Sequence, residues 1–104
     1  MSFNGREGTF IPIDDAATMT AAWRDRGNAI KGVFLGKENL NSLLETPGAM
    51  GIRMYFAINN NATTLVCVAT DADENDILGS EVALEEAVPC PNRCGANNAL
   101  NSNE

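Results

Sequence analysis

Two alternating runs joined by a cluster of asparagines constrain this chain more than any other feature. In Gly51-Ile-Arg-Met-Tyr-Phe-Ala-Ile58, an extended strand puts Ile52, Met54, Phe56 and Ile58 on one side and Arg53, Tyr55 and Ala57 on the other. Asn59-Asn-Asn-Ala62 reads as a turn, because Asn accepts left-handed backbone at little cost. Thr64-Leu-Val-Cys-Val-Ala-Thr70 is then the return strand of a β-hairpin. It is apolar on both faces, which predicts a central strand covered on each side.

The flanking segments alternate helix and strand signals. Residues 13–27 read as one helix: Asp14 or Asp15 caps its first amides, Arg24 and Arg26 occupy its last turn, and Gly27 takes a left-handed stop. Ala16, Met19 and Trp23 share a face, so Trp23 is expected to anchor this helix to the core. Lys31–Gly36 reads as a short buried strand. Lys37–Thr46 reads as a second helix, with Leu40, Leu43 and Leu44 at helical spacing and Pro47-Gly48 as its stop. Beyond Thr70 the pattern weakens. Asp71–Asp76 is a polar loop, Ser80 suits the cap of a short helix through Val88, and Val82, Leu84 and Val88 suit a strand equally well. Pro89-Cys90-Pro91 ends that segment. The expected fold is α+β, helix–strand–helix–β-hairpin with an irregular acidic loop and C-terminal tail. Residues 1–94 read as a single domain, and 95–104, with four Asn and almost nothing to bury, as an irregular polar tail free in solution.

Composition narrows the function classes. A chain of 104 residues supports one modest core. The formal charge is −7, but residues 1–53 are neutral and the excess lies beyond them, with seven acids between Asp71 and Glu86. A phosphate-binding surface needs clustered Lys and Arg, and the chain has seven in total, so nucleic-acid binding is disfavoured. No apolar run approaches the roughly 20 residues that cross a bilayer, so membrane insertion is not expected. The N-terminal residues have no Sec-type pattern, which makes the cytoplasm the default expectation and leaderless export the alternative.

Three constellations have residue types that carry chemistry. Asp71, Asp73 and Asn75 stand at the first, third and fifth positions of a Ca²⁺ loop, with Asp76 beside them. An EF-hand, however, needs Gly where Asp76 stands and Glu where Val82 stands. A looser Ca²⁺ loop is one reading, and Asx-turns between elements are the simpler account of the same residues. Cys90 and Cys94 are either a local disulfide or two free thiols: four residues apart, they are within bridging reach, and Cys67 reads as a small core hydrophobe. Neither a zinc site nor a two-residue-spacer redox motif is complete. Arg53 is either an anion ligand or an exposed strand arginine. The chain has no His for a nucleophile–base pair and no phosphate-cradling glycine motif, so no enzyme is expected.

The GIRMYFA segment at Gly51–Ala57, the DADENDI segment at Asp71–Ile77 and the PCPNRCG segment at Pro89–Gly95 resemble those of a small uncharacterised bacterial protein family. That resemblance implies one compact domain and carries no activity. The expected function is a non-enzymatic structural or protein-interaction domain that associates with itself or with another protein, needing no cofactor. The alternative is a small Ca²⁺-dependent binding module using Asp71–Asp76. The scarcity of Lys in the neutral half suits a surface that packs against neighbours.

Overall fold

A computed structural model describes residues 2–79 and 83–101. The fold is α+β, as expected: α1 (Ile13–Asp25), β1 (Gly32–Phe34), α2 (Lys37–Leu44), β2 (Ala49–Asn59), β3 (Ala62–Asp71) and β4 (Val88–Cys90). These elements gather into two compact units. One holds the residues up to Gly8 with Leu35–Ala87, and the other holds Thr9–Phe34 with the residues from Val88 onward.

The first unit is built on the hairpin. β2 and β3 pair antiparallel with Ile52 opposite Ala69, Met54 opposite Cys67 and Phe56 opposite Leu65, and the register shifts only between Ala49 and Gly51. Asn60 and Asn61 form the turn, both with positive φ (52° and 63°). Two successive left-handed residues match the twist of the flanking strands, which is why a two-residue loop of asparagines closes this hairpin. β3 belongs to a two-stranded sheet, so the expected central position is met only by isolated bridges on its other side. Its second edge bonds to the returning chain, where Cys67 pairs with Leu84 and Thr70 with Asp76. Among the described residues the buried apolar ones are Leu43 from α2 with Cys67, Val68 and Ala69 from β3.

The apolar side of β2 does not follow the expected pattern. Met54 is 50% exposed, Phe56 84% and Ile58 77%. α2 is only eight residues long and packs on both strands, but too little structure is available in this unit to cover the whole hairpin. The helix suggested after Ser80 is absent among the described residues from Ala83 onward. Ser80 and Val82 lie outside the described residues.

In the second unit, the N-cap of α1 lies two or three residues before the expected one. Pro12 occupies the N-cap position without a side-chain bond, and Asp14 and Asp15 lie inside the first turn. They still favour the positive end of the helix dipole, but they cap no amide. Arg24 is in the last turn and Arg26 is the C-cap. Gly27, at φ +79°, donates its N–H to the Arg24 carbonyl and stops the helix as expected. Trp23 is not a core anchor. It is 42% exposed, α1 buries no residue, and the indole N–H instead donates to the Ile30 carbonyl at 2.7 Å. The reason is the small size of this unit, which among the described residues offers no layer behind the helix to receive a large ring. β1 is exposed for the same reason, with Phe34 at 64%, and it pairs antiparallel with β4. Residues 95–101 are irregular but not free in solution: Arg24 donates to the Leu100 carbonyl at 2.7 Å and Lys31 to the Asn101 carbonyl at 2.8 Å.

Candidate functional site

The polar groups of the first unit converge on Asp76. The chain leaves β3 at Asp71, turns through Glu74 with φ +70°, and returns so that the Asp71 N–H meets the Asn75 carbonyl at 2.9 Å. This turn brings Asp76 beside the strand face that carries Arg53, Tyr55 and Thr70. Arg53 Nη1 donates to Asp76 Oδ1 at 2.7 Å, Thr70 Oγ1 donates to the same oxygen at 3.1 Å, and the Tyr55 hydroxyl donates to Oδ2. The Tyr55 hydroxyl, the Thr70 hydroxyl and the Arg53 guanidinium hold the Asp76 carboxyl below its ordinary range. Arg53 Nη1 also reaches the Glu74 carbonyl at 3.3 Å, and its guanidinium lies 5.7 Å from the centre of the Phe3 ring. Arg53 is therefore neither a bare strand arginine nor an open anion ligand.

Asp71 is used differently. Its Oδ1 accepts the N–H groups of Asp73 and Asn75, both at 2.9 Å, which is the Asx-turn geometry. Of the four candidate Ca²⁺ ligands, Asp71 thus faces backbone amides and Asp76 faces Arg53, Tyr55 and Thr70, while Asp73 and Asn75 are exposed. The structure does not turn the four toward one centre. Glu85 also acts on the hairpin: its carboxylate accepts from Asn59 Nδ2 at 3.1 Å and Thr64 Oγ1 at 3.3 Å.

A shallow cleft of about 320 Å³ lies between the N-terminal segment and the start of β2, with Phe3, Glu7, Ile52 and Arg53 among its walls. Glu7 folds back so that its carboxylate accepts the N–H groups of Asn4 at 2.9 Å and Gly5 at 3.0 Å. Those amides, Asn4 first, lower its pKa. Gly5 adopts φ +86°, which a side chain would resist. Both charged groups on this cleft are already bonded within the protein.

In the second unit Cys90 and Cys94 form a disulfide. Cys67 is a free, buried thiol whose pKa burial pushes up, as suits a core residue. In the sequence Asp76 stands beside a possible Ca²⁺ loop that Asx-turns explain more simply, and nothing local announces its part in the Arg53 cluster. The available signal is Arg53 itself, the last basic residue before a long stretch whose charged residues are all acids. Among the described residues no helix is long and apolar enough to cross a membrane. No protein-family model, curated protein or solved structure matches this chain.

Proposed function

We propose that this protein is a non-enzymatic structural domain that works by associating with copies of itself. The observation that carries this reading is the amount and kind of surface left uncovered. The accessible area is 7887 Å². Two separate compact bodies of the sizes of these units would expose about 6,800 Å² by the usual scaling. The excess of roughly 1,000 Å² is comparable with the ~800 Å² per partner of a standard protein interface. Among the described residues fourteen large hydrophobics are exposed, whereas the buried apolar set is Leu43, Cys67, Val68 and Ala69. Contiguous apolar surface is what marks a site of association, and Met54, Phe56 and Ile58 stand together on one face of β2.

The polar clusters support the same reading. Asp71, Asp76, Glu7 and Glu85 are each bonded to groups of this chain, and each fixes a turn or a strand end. The test is size-exclusion chromatography with light scattering across a concentration series. The expected mass exceeds one chain and rises with concentration, and a single-chain mass throughout would exclude the reading.

A further inference from the structure

The direction of the backbone groups along the outer edge of β2 follows from its partner strand. Cys67 exchanges two hydrogen bonds of 2.8 Å with Leu84, so its backbone N–H and C=O both point away from β2. The Ala69 carbonyl likewise accepts the Ile77 N–H at 2.9 Å. Met54 and Ile52 lie opposite these two residues. In an antiparallel ladder, opposed residues that do not bond each other both direct their backbone groups outward. The register runs unbroken from Gly51 to Asn59, so the alternation continues through Phe56 and Ile58. The N–H and C=O groups of Ile52, Met54, Phe56 and Ile58 therefore form the outer edge. Among the described residues no second strand pairs with that edge. The same four residues carry the apolar side chains of one face.

Natural sheets blunt such an edge with lysines, prolines or bulges. From Ile52 to Ile58 there is no Lys and no Pro, and the irregularity is confined to the Ala49/Gly51 end. The one charged residue, Arg53, is tied to Asp76.

We infer that β2 pairs antiparallel with β2 of a second copy across a two-fold axis, making a four-stranded sheet with β3 on each outer side. This inference rests on the self-association reading and specifies its interface. Symmetry selects the register. With the axis at Tyr55, Met54 meets Phe56 of the second copy and Ile52 meets its Ile58, so all four outward-facing residues of each chain find partners. Moving the axis to Met54 pairs Ile58 with Met50 inside the irregularity, and moving it to Phe56 runs Ile52 against the turn. On the Tyr55 register the apolar stripe is continuous across the axis. The two Arg53 side chains are kept apart, each opposite Ala57 of the other copy. A second copy suits this edge because the chain carries −7 overall and the strand itself has no acidic residue. The like-charged molecules meet where they repel least.

The test uses the full chain and the Met54→Pro variant. Proline here removes an outward N–H and leaves the β2–β3 ladder intact. The expected result is a two-chain mass for the wild type and a one-chain mass for Met54→Pro, with unchanged far-UV circular dichroism. At the axis, Tyr55→Cys places two thiols on Cα atoms about 4.5 Å apart, within disulfide reach, so it should form a covalent dimer on a non-reducing gel. Ala57→Cys should not. A single-chain wild type would overturn both this interface and the self-association reading. A two-chain mass that survives Met54→Pro, with no cross-link from Tyr55→Cys, would overturn the edge pairing and leave self-association standing. If Met54→Pro does not fold, the cross-linking pair decides alone: a bond at Tyr55→Cys but not at Ala57→Cys supports the register, and its absence overturns it.

Discussion

Asp76 and Asp71 show how two similar carboxylates are separated by what surrounds them. Asp76 is charged in the fold because Tyr55, Thr70 and Arg53 all bond its ionised form. A depressed folded pKa contributes stability that is present above the ordinary carboxylate range and is lost as pH falls through the folded value. Asp76→Asn should therefore melt below the wild type at pH 7, and the gap should close on acidification; thermal melts at a series of pH values will show it. Asp71 holds two amides, and its loss leaves them without that acceptor. Asp71→Ala should cost about 1 kcal/mol, while Asp73→Ala, at an exposed position, should stay within about 0.5 kcal/mol. If the loop is a turn built on Asx bonds, added Ca²⁺ will leave the melting temperature of the wild type unchanged. A rise that Asp71→Ala and Asp73→Ala abolish would instead establish an ion site. The Asx-turn of Asp71 was legible in the sequence, because its amides lie two and four positions on, but the direction of the Asp76 carboxylate was not. That depends on Arg53 and Tyr55, more than twenty positions away.

Among the elements, the hairpin and the β1–β4 ribbon differ in how much of their stability is local. The hairpin turn needs positive φ at both Asn60 and Asn61. A β-carbon-bearing residue without an amide is strained there by roughly 1–2 kcal/mol, so Asn60→Ala should destabilise the fold, and Asn61→Gly should stabilise it slightly. Comparing urea midpoints of the two variants tests this. The β1–β4 ribbon has only three residue pairs, and the Cys90–Cys94 disulfide adjoins it. Closing a loop of this size contributes about 2 kcal/mol in the chain-entropy account. Cys94→Ser should therefore speed hydrogen exchange at the Lys31 amide, which donates to the Cys90 carbonyl, while the β2–β3 amides keep their protection. The hairpin was legible because its alternation and its turn chemistry agree within twenty residues. The ribbon was not, since nothing in a three-residue strand announces its distant partner.

For the whole molecule, the dominant facts are a small buried set and a large net charge. Four buried apolar residues among those described, and a charge of −7 on 104 residues, leave little margin for a lone copy. Copies that associate must bring like charges together, so the assembly should strengthen as salt screens them. Raising ionic strength from roughly 0.01 M to 0.15 M shortens the Debye length from about 30 Å to about 8 Å. Light scattering should show the mass rising over that range, and a fall would argue that attraction between opposite charges holds the copies together.

The sequence by itself determined the α+β class, the hairpin with its asparagine turn, both helices and the glycine that stops the first. Each of these depends on the periodicity or backbone preference of residues close together in the chain. Only the tertiary structure decided which apolar faces are covered, because burial depends on what else is available to pack against them. Trp23, Phe56 and Ile58 look like core residues by pattern and are exposed in the fold. Tertiary structure also decided the fate of residues 95–101, where carbonyls at Leu100 and Asn101 accept from Arg24 and Lys31 across 76 and 70 positions. Backbone carbonyls are the same at every residue, so a bond to one of them leaves no trace in composition or spacing.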